Sequence, residues 1–127
     1  MKILVVDDNP DDQLLAKTFL SQDGYPGIEA VDSAEAAFSV LELDGEGAPK
    51  FDLILLDISL PGTDGIEATR TIKASNKYAE IPVIMMTAHS PQDYLARAFR
   101  AGAMDFISKP FNKIEFLARV NAAIRLK

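Results

Sequence analysis

The chain has no cysteine and no long hydrophobic run. Without cysteine it has no disulfide, no thiolate metal site and no thiol nucleophile. The longest apolar stretches are about six residues, too short to span a bilayer or to form the core of a signal peptide. We therefore expect a cytoplasmic protein with no membrane partner.

Basic residues are also scarce, with 13 Lys and Arg against 19 Asp and Glu and a formal net charge of −6. Direct binding to nucleic acid is disfavoured, because neutralising phosphates requires a basic face. An acidic chain can still bind a divalent cation. Hydrophobic residues make up 48% of the 127 residues and charged residues 25%, which is typical of one folded globular domain. We expect a single domain over residues 1–127.

Strand-like and helix-like patterns alternate along the chain. The predicted strands are Lys2–Val6, Ile28–Val31, Leu53–Leu56, Val83–Met86 and Asp105–Ser108. The first, third and fourth are almost continuously apolar, as expected when helices cover both faces of a sheet. Helical spacing of apolar residues occurs at Leu15 and Phe19, at Ala34, Ala37, Phe38 and Leu41, at Tyr94, Leu95, Ala98 and Phe99, and at Leu117, Val120 and Ile124. This (βα)5 order predicts an α/β, flavodoxin-like doubly wound parallel sheet.

Capping residues indicate where helices begin and end. The predicted starts are Asn9 followed by Pro10, Ser33, and Ser90 followed by Pro91. Gly24 and Gly102 stand where helices are expected to stop. Residues 44–50 are predicted to form a surface loop.

Polar residues of different kinds follow four of the apolar runs. Asp7 and Asp8 follow the first, Asp57 the third, Thr87 the fourth, and Lys109 comes at the end of the fifth. The carboxyl ends of parallel strands share one edge of the sheet, which is where ligands bind in open α/β folds. Three carboxylates, a hydroxyl and an ammonium are therefore predicted to meet at one place.

This combination favours phosphoryl chemistry with a metal ion. Clustered carboxylates resist ionisation unless a cation compensates them, and oxygen ligands suit Mg²⁺. Asp57 could be a third metal ligand or a nucleophile that attacks a phosphoryl group. Thr87 and Lys109 are donors suited to phosphoryl oxygens. Each residue alone also fits an ordinary structural position, such as a helix cap, a strand threonine or a surface lysine, so the hypothesis depends on their conjunction.

The sequence resembles the receiver domain of two-component response regulators, of the chemotaxis-receiver type. The matching residues are Asp7-Asp8, Asp57 with Leu60-Pro61 and Asp64-Gly65, Thr87-Ala88, and Lys109-Pro110-Phe111. The resemblance covers essentially the whole chain in the right order and spacing. It implies the strand order 2-1-3-4-5 and a cis peptide bond between Lys109 and Pro110.

The resemblance also implies a metal site and a phosphoacceptor. Asp57 would accept a phosphoryl group from a histidine kinase or a histidine phosphotransfer protein. Asp8 would bind Mg²⁺ (or Mn²⁺) directly and Asp7 through water, with Asp57 and the backbone carbonyl of Ser59 completing the protein ligands.

Thr87 and Lys109 would contact the phosphoryl group and report its presence. In receivers the threonine hydroxyl moves toward the phosphoryl group and an aromatic ring on the fifth strand rotates inward behind it; here that residue is Phe106, where many relatives carry tyrosine. Ser59 and His89 stand at positions that tune dephosphorylation in the family. His89 is also consistent with an ordinary solvated loop histidine, and Phe106 with a plain core residue.

The expected output surface consists of the fourth helix, fifth strand and fifth helix, including Arg97, Phe106 and Lys113. These residues would contact a downstream partner or an attached output domain. The chain either stands alone or forms the N-terminal part of a longer regulator. Phosphorylation would then drive homodimerisation, DNA binding by an attached module, or an attached cyclase.

Two other functions fit part of the pattern. An aspartyl-nucleophile phosphatase of the haloacid dehalogenase type also uses a strand-end Asp and Mg²⁺, but it requires a second Asp two residues on, where this chain has Ser59. A phosphorylation-independent binding module of the same fold typically lacks part of the acidic cluster or the lysine. This chain has all five residues of the predicted site, which are Asp7, Asp8, Asp57, Thr87 and Lys109. We therefore expect a signalling domain rather than an enzyme acting on outside substrates.

Overall fold

Strands and helices alternate throughout the computed structural model, which describes residues 1–88 and 92–126. The strands are β1 (Lys2–Val6), β2 (Gly27–Val31), β3 (Leu53–Asp57), β4 (Val83–Thr87) and β5 (Asp105–Ser108). The helices are α1 (Pro10–Gln22), α2 (Ala34–Leu41), α3 (Gly65–Ala74), α4 (Gln92–Ala101) and α5 (Lys113–Leu126). None of the helices in these described ranges is long and apolar enough to cross a membrane.

All strand pairs are parallel, and the sheet order is β2-β1-β3-β4-β5. The predicted flavodoxin-like fold is therefore confirmed. Three strands are one residue longer than predicted, because Gly27, Asp57 and Thr87 still pair in the sheet: Asp57 lies opposite Met86 and Thr87 opposite Ser108. Two of the expected functional residues thus have their backbones fixed by strand pairing.

Alternate residues of the central strands enter two separate cores. On β3, Ile54 and Leu56 belong to the core beneath α2, α3 and α4, while Leu53 and Leu55 belong to the core beneath α1 and α5. All four are fully buried. Burial on both faces explains why these strands read as continuous apolar runs instead of alternating ones.

The predicted helix starts are confirmed where the structure describes them. The Asn9 side chain accepts hydrogen bonds from the first backbone N–H groups of α1, and Pro10 is the first residue of that helix. Ser33 caps α2 in the same way, with its hydroxyl oxygen accepting from the N–H of Ala36 at 3.0 Å. The predicted start at Ser90–Pro91 lies outside the described residues.

Two of the helix ends follow the expected glycine chemistry, and one does not. Gly24 and Gly102 follow α1 and α4 with φ of +89° and +116°, as helix-terminating glycines do. The end of α2 was not predicted, because Glu42 adopts the left-handed conformation (φ 52°) without being glycine. Its backbone N–H donates to the carbonyl of Phe38, and residues 44–50 follow without helix or strand, as predicted.

The predicted buried faces of α1 and α4 need correction. On α4, Ala98 is buried but Tyr94 and Phe99 are 43% and 45% exposed. On α1, Leu15 is 36% exposed and the neighbouring Ala16 is fully buried. On α4 the small Ala98 is the buried residue of the predicted stripe, whereas on α1 the predicted Phe19 does pack against the core, with its ring centroid 5.6 Å from that of Phe116.

Candidate functional site

Three carboxylates meet at the carboxyl ends of β1 and β3, as the sequence predicted. Oxygen atoms of Asp7, Asp8 and Asp57 all lie within 4.8 Å of one another. Asp7 is fully buried and Asp57 is 5% exposed, while Asp8 is exposed. An all-oxygen set of this size, open to solvent on one side, fits a hard divalent cation such as Mg²⁺ or Mn²⁺ that keeps some of its water ligands.

The ammonium group of Lys109 forms ion pairs with three carboxylates, from Asp7 after β1, Asp12 in α1 and Asp57 at the end of β3. Nζ lies 2.7 Å from Asp7 Oδ2, 2.9 Å from Asp57 Oδ2 and 2.9 Å from Asp12 Oδ2. The Lys109 backbone is held at the end of β5 by a hydrogen bond from its N–H to the carbonyl of Thr87 at 2.8 Å. The Lys109–Pro110 peptide bond is cis, as expected.

Asp12 is the carboxylate that the sequence prediction missed. It lies in the first turn of α1, and its backbone N–H donates to the capping oxygen of Asn9 at 3.2 Å. The Asn9-Pro10 start of the helix was a partial signal, because it places Asp12 in the first turn of α1, close in sequence to Asp7 and Asp8.

Burial raises the pKa of Asp57 to about 6, above the ordinary range of an aspartate. The hydrogen bonds from Lys109 and from the backbone N–H of Ser59 act in the opposite direction, and the negative charge of Asp7 adds to the increase. Burial would by itself lower the pKa of Lys109, but hydrogen bonds to Asp7, Asp12 and Asp57 outweigh it and raise that pKa. One ammonium shared among three carboxylates therefore keeps its proton and compensates Asp57 only in part.

The turn after β3 holds the Asp57 side chain in place. The backbone N–H of Ser59 donates to Asp57 Oδ1 at 3.0 Å, and the N–H of Gly65 donates to the carbonyl of Ile58 at 2.9 Å. A Cβ atom on Gly65 would lie 2.7 Å from Ile58 Cα and still closer to the Asp57 carbonyl oxygen. Glycine is thus required at position 65, because the start of α3 touches the backbone of Asp57 and Ile58 at the end of β3.

Thr87 lies on the other side of Asp57, at the end of β4, and is 4% exposed. A cavity of about 210 Å³ adjoins it, lined by Ile58, Ser59, Asp64, Ile66, Thr87 and Tyr94. The cavity lies between the turn after β3 and the helix α4. It therefore leaves open space next to the Thr87 side chain and the turn after β3.

Phe106 occupies the predicted position on β5, three residues before Lys109. Its half-buried ring lies between α4 and α5, with the Phe99 ring centroid at 6.5 Å and the Arg119 guanidinium carbon at 5.0 Å from its own centroid. Arg119 is held in turn by Asp105, at 2.7 Å. The ring therefore connects β5 to both helices of the expected output surface.

The remaining predicted residues lie on α4 and α5, at the rim of the acidic cluster, or outside the described part of the chain. Arg97 and Lys113 are exposed on α4 and at the start of α5. The side chain of Ser59 is exposed at the rim, while its backbone contacts Asp57. His89 lies outside the described residues.

Residues 3–121 match the family model of the response regulator receiver domain. The chain belongs to this family. The receiver domain is 37% identical over 123 residues to the phosphate regulon transcriptional regulatory protein PhoB of Pseudomonas aeruginosa, covering 97% of this chain and 51% of that protein. It is 40% identical over 124 residues to the transcriptional regulatory protein ResD of Bacillus subtilis, covering 98% and 48%. The chain thus spans about half the length of these relatives.

A solved structure shows the same fold with a metal. The receiver domain of a sensor histidine kinase from Pseudomonas aeruginosa, crystallised with a magnesium ion coordinated in its active site cleft, superimposes with a TM-score of 0.83. It is 31% identical and covers 98% of this chain and 97% of that one. The receiver domain described here is accordingly a signalling domain of two-component systems, and its aspartate cluster fits a phosphorylation site.

Proposed function

We propose that Asp57 is the phosphoacceptor of this receiver domain. The observation that supports it is the placement of Asp57 itself: a buried carboxylate, within 4.8 Å of the Asp7 and Asp8 oxygens and 2.9 Å from the Lys109 ammonium. In the reaction, an Asp57 oxygen forms a bond to phosphorus while the bond from phosphorus to an imidazole nitrogen of the donor breaks. The donor is a phosphohistidine on a histidine kinase or a histidine phosphotransfer protein.

Asp7, Asp8 and Asp57 would hold Mg²⁺ (or Mn²⁺), with the Ser59 backbone carbonyl as a further ligand. A bound divalent ion supplies positive charge next to the phosphoryl oxygens. The protein residues do the positioning: Ser59 N–H and Lys109 fix the two oxygens of Asp57, and burial keeps bulk water away from them. In phosphoryl transfer, positioning and charge compensation are most of the catalysis.

Thr87 and Lys109 would contact the phosphoryl group once it is bound to Asp57. The cavity beside Thr87 gives the hydroxyl room to move, and Phe106 on the neighbouring strand would follow it. Because the Phe106 ring packs between α4 and α5, a change in its position alters the surface that includes Arg97 and Lys113. Ser59 and His89 are proposed to tune the lifetime of the phosphoryl group.

Residues 1–127 are proposed to form one cytoplasmic receiver domain. Relatives named as transcriptional regulators are about twice as long, which supports a role as the N-terminal part of a longer regulator; the alternative is a stand-alone receiver. Output through an attached domain or through phosphorylation-dependent homodimerisation is compatible with either arrangement. The domain's own acidity argues against direct nucleic-acid binding.

The test is incubation with acetyl phosphate and Mg²⁺ followed by intact mass measurement. We expect one hydroxylamine-sensitive phosphoryl adduct that requires the divalent ion and is lost in Asp57→Asn. Asp44→Asn, which changes an exposed residue of the α2–β3 loop, should retain it. Absence of any adduct would favour the phosphorylation-independent binding module, and an adduct that persists in Asp57→Asn would place the phosphoryl group elsewhere.

A further inference from the structure

Asp12 forms an ion pair with Lys109 and has no part in the phosphoryl transfer proposed above. Its Oδ2 lies 2.9 Å from Lys109 Nζ, and its side chain is 27% exposed, against 0% for Asp7 and 7% for Asp57. The Asn9 cap fixes the first turn of α1 through the backbone N–H groups of Asp11 and Asp12. The Asp12 side chain therefore reaches Lys109 from the capped first turn of α1, whereas Asp7 and Asp57 lie at the carboxyl ends of β1 and β3.

The hydrogen-bonding capacity of Lys109 is used up in this state. An ammonium group has three N–H donors and no acceptor, and Lys109 Nζ has three carboxylate oxygens at 2.7–2.9 Å. A phosphoryl group on Asp57 brings additional oxygens with negative charge to the same place. Lys109 can bond to them only by giving up one of its present partners.

Asp12 is the partner that is most easily given up. Asp7 is fully buried and would remain as an uncompensated charge away from water, which is costly. Asp12 faces solvent and can be hydrated when Lys109 turns away, so its ion pair is the weakest of the three. After release, the Asp12 carboxylate still lies near the phosphoryl group and repels it.

We propose that Asp12 is a positioning residue that holds Lys109 in the unphosphorylated state and competes with the phosphoryl group for it. This inference rests on the proposed function of Asp57. Asp12 thereby limits the phosphorylated fraction of the domain and shortens the lifetime of the aspartyl phosphate. This role depends on the single ion pair between Asp12 in α1 and Lys109 at the end of β5.

The first test compares Asp12→Asn with Asp11→Asn, a matched change at an exposed residue of the same helical turn. Both are incubated with limiting acetyl phosphate at saturating Mg²⁺, and the phosphorylated fraction and its decay are measured. We expect Asp12→Asn to increase the phosphorylated fraction about two- to fivefold through slower decay, the size of one partly exposed ion pair. Asp11→Asn should behave as the wild type; an unchanged or reduced fraction in Asp12→Asn overturns the inference.

A second measurement does not depend on phosphorylation. Nitrogen-detected or nitrogen-correlated NMR of ¹⁵N-lysine protein reports the ammonium group of Lys109, identified by its loss in Lys109→Arg. We expect Asp12→Asn to shift this signal and speed its hydrogen exchange, while Asp11→Asn leaves it unchanged. If the wild type accepts no phosphoryl group, the proposed function fails and this signal still decides whether Asp12 holds Lys109. An unaltered signal in a folded Asp12→Asn protein contradicts the inference even when Asp57 is phosphorylated.

Discussion

At the scale of single residues, the main electrostatic feature of the site is one ammonium group paired with three carboxylates. Lys109 bonds to Asp7, Asp12 and Asp57, so each carboxylate receives only part of its compensation. Asp57 is buried as well, and its pKa rises to about 6. A carboxylate that is incompletely compensated when the metal is absent is a good ligand for a cation and a good acceptor for an electrophilic phosphoryl group.

The raised pKa of Asp57 makes the stability of the metal-free protein depend on pH. The folded-state pKa of about 6 exceeds the unfolded value of about 3.9, so the folded protein binds this proton more tightly. The stabilisation is fully present below about pH 4 and is lost as pH rises through about 6. Asp57→Asn should therefore increase the free energy of unfolding at pH 7.5 by about 1–3 kcal/mol without divalent ions.

Urea unfolding at pH 4.5 and pH 7.5, in buffer with a chelator, measures this difference. The advantage of Asp57→Asn should shrink toward zero at the lower pH. Asp44→Asn, in the exposed loop after α2, should show no such dependence. A variant less stable than the wild type at pH 7.5 would mean that the Lys109 ion pair outweighs the burial of Asp57.

At the scale of secondary-structure elements, the contact between β3 and α3 is the tightest constraint on the site. Gly65 begins α3 directly against the backbone of Asp57 and Ile58. The close approach places the start of α3 directly beside the end of β3, where Asp57 lies. Any side chain at position 65 must separate the two elements.

Gly65→Ala should therefore destabilise the fold by about 2–4 kcal/mol, because the added Cβ meets backbone atoms that cannot move aside. Gly47→Ala is the matched control: its φ is +100°, but a Cβ there meets nothing within 4 Å. The control should cost only the conformational penalty, about 1 kcal/mol. Thermal or urea unfolding measures both, and equal losses would show that the β3–α3 contact can relax.

Some secondary-structure elements could be predicted from the sequence and others could not. The strands β1, β3 and β4 are buried on both faces, so each appears in the sequence as an apolar run that ends in a polar residue. Their positions could therefore be predicted. Parallel pairing then places Asp7, Asp57 and Thr87 at the same edge of the sheet. The exposure of Tyr94 and Phe99 on α4 could not be predicted from the sequence. Periodicity shows which residues share a side of a helix, but it does not show how much of that side the neighbouring elements cover. Asp12 was missed for a related reason, since its role depends on the angle at which α1 meets the sheet.

At the scale of the whole molecule, a metal ion bound at the acidic cluster would stabilise the folded state. The cluster is assembled from segments far apart in sequence, so the three-carboxylate site exists only in the folded protein. A ligand that binds the folded state alone stabilises it by mass action, about 2.7 kcal/mol at 100 times its dissociation constant. Saturating Mg²⁺ should raise the Tm of the wild type, and Asp8→Asn should remove most of that rise.

Thermal unfolding with and without Mg²⁺ gives this result directly. Asp8 is exposed, so its replacement should leave the metal-free Tm within a few degrees of the wild type and change only the response to the ion. Asp44→Asn should respond to Mg²⁺ as the wild type does. A full Mg²⁺ response in Asp8→Asn would place the ion away from the Asp7, Asp8 and Asp57 cluster.

The most direct test of the account is to locate the phosphoryl group in the chain. The protein is phosphorylated with acetyl phosphate and Mg²⁺, the acyl phosphate is reduced with borohydride, which converts the modified aspartate to homoserine, and the peptides are sequenced by tandem mass spectrometry. We predict homoserine at position 57 and at none of Asp7, Asp8 or Asp12. Homoserine at one of those residues instead, or at no position in a protein that carries a phosphoryl group, would contradict the assignment of Asp57.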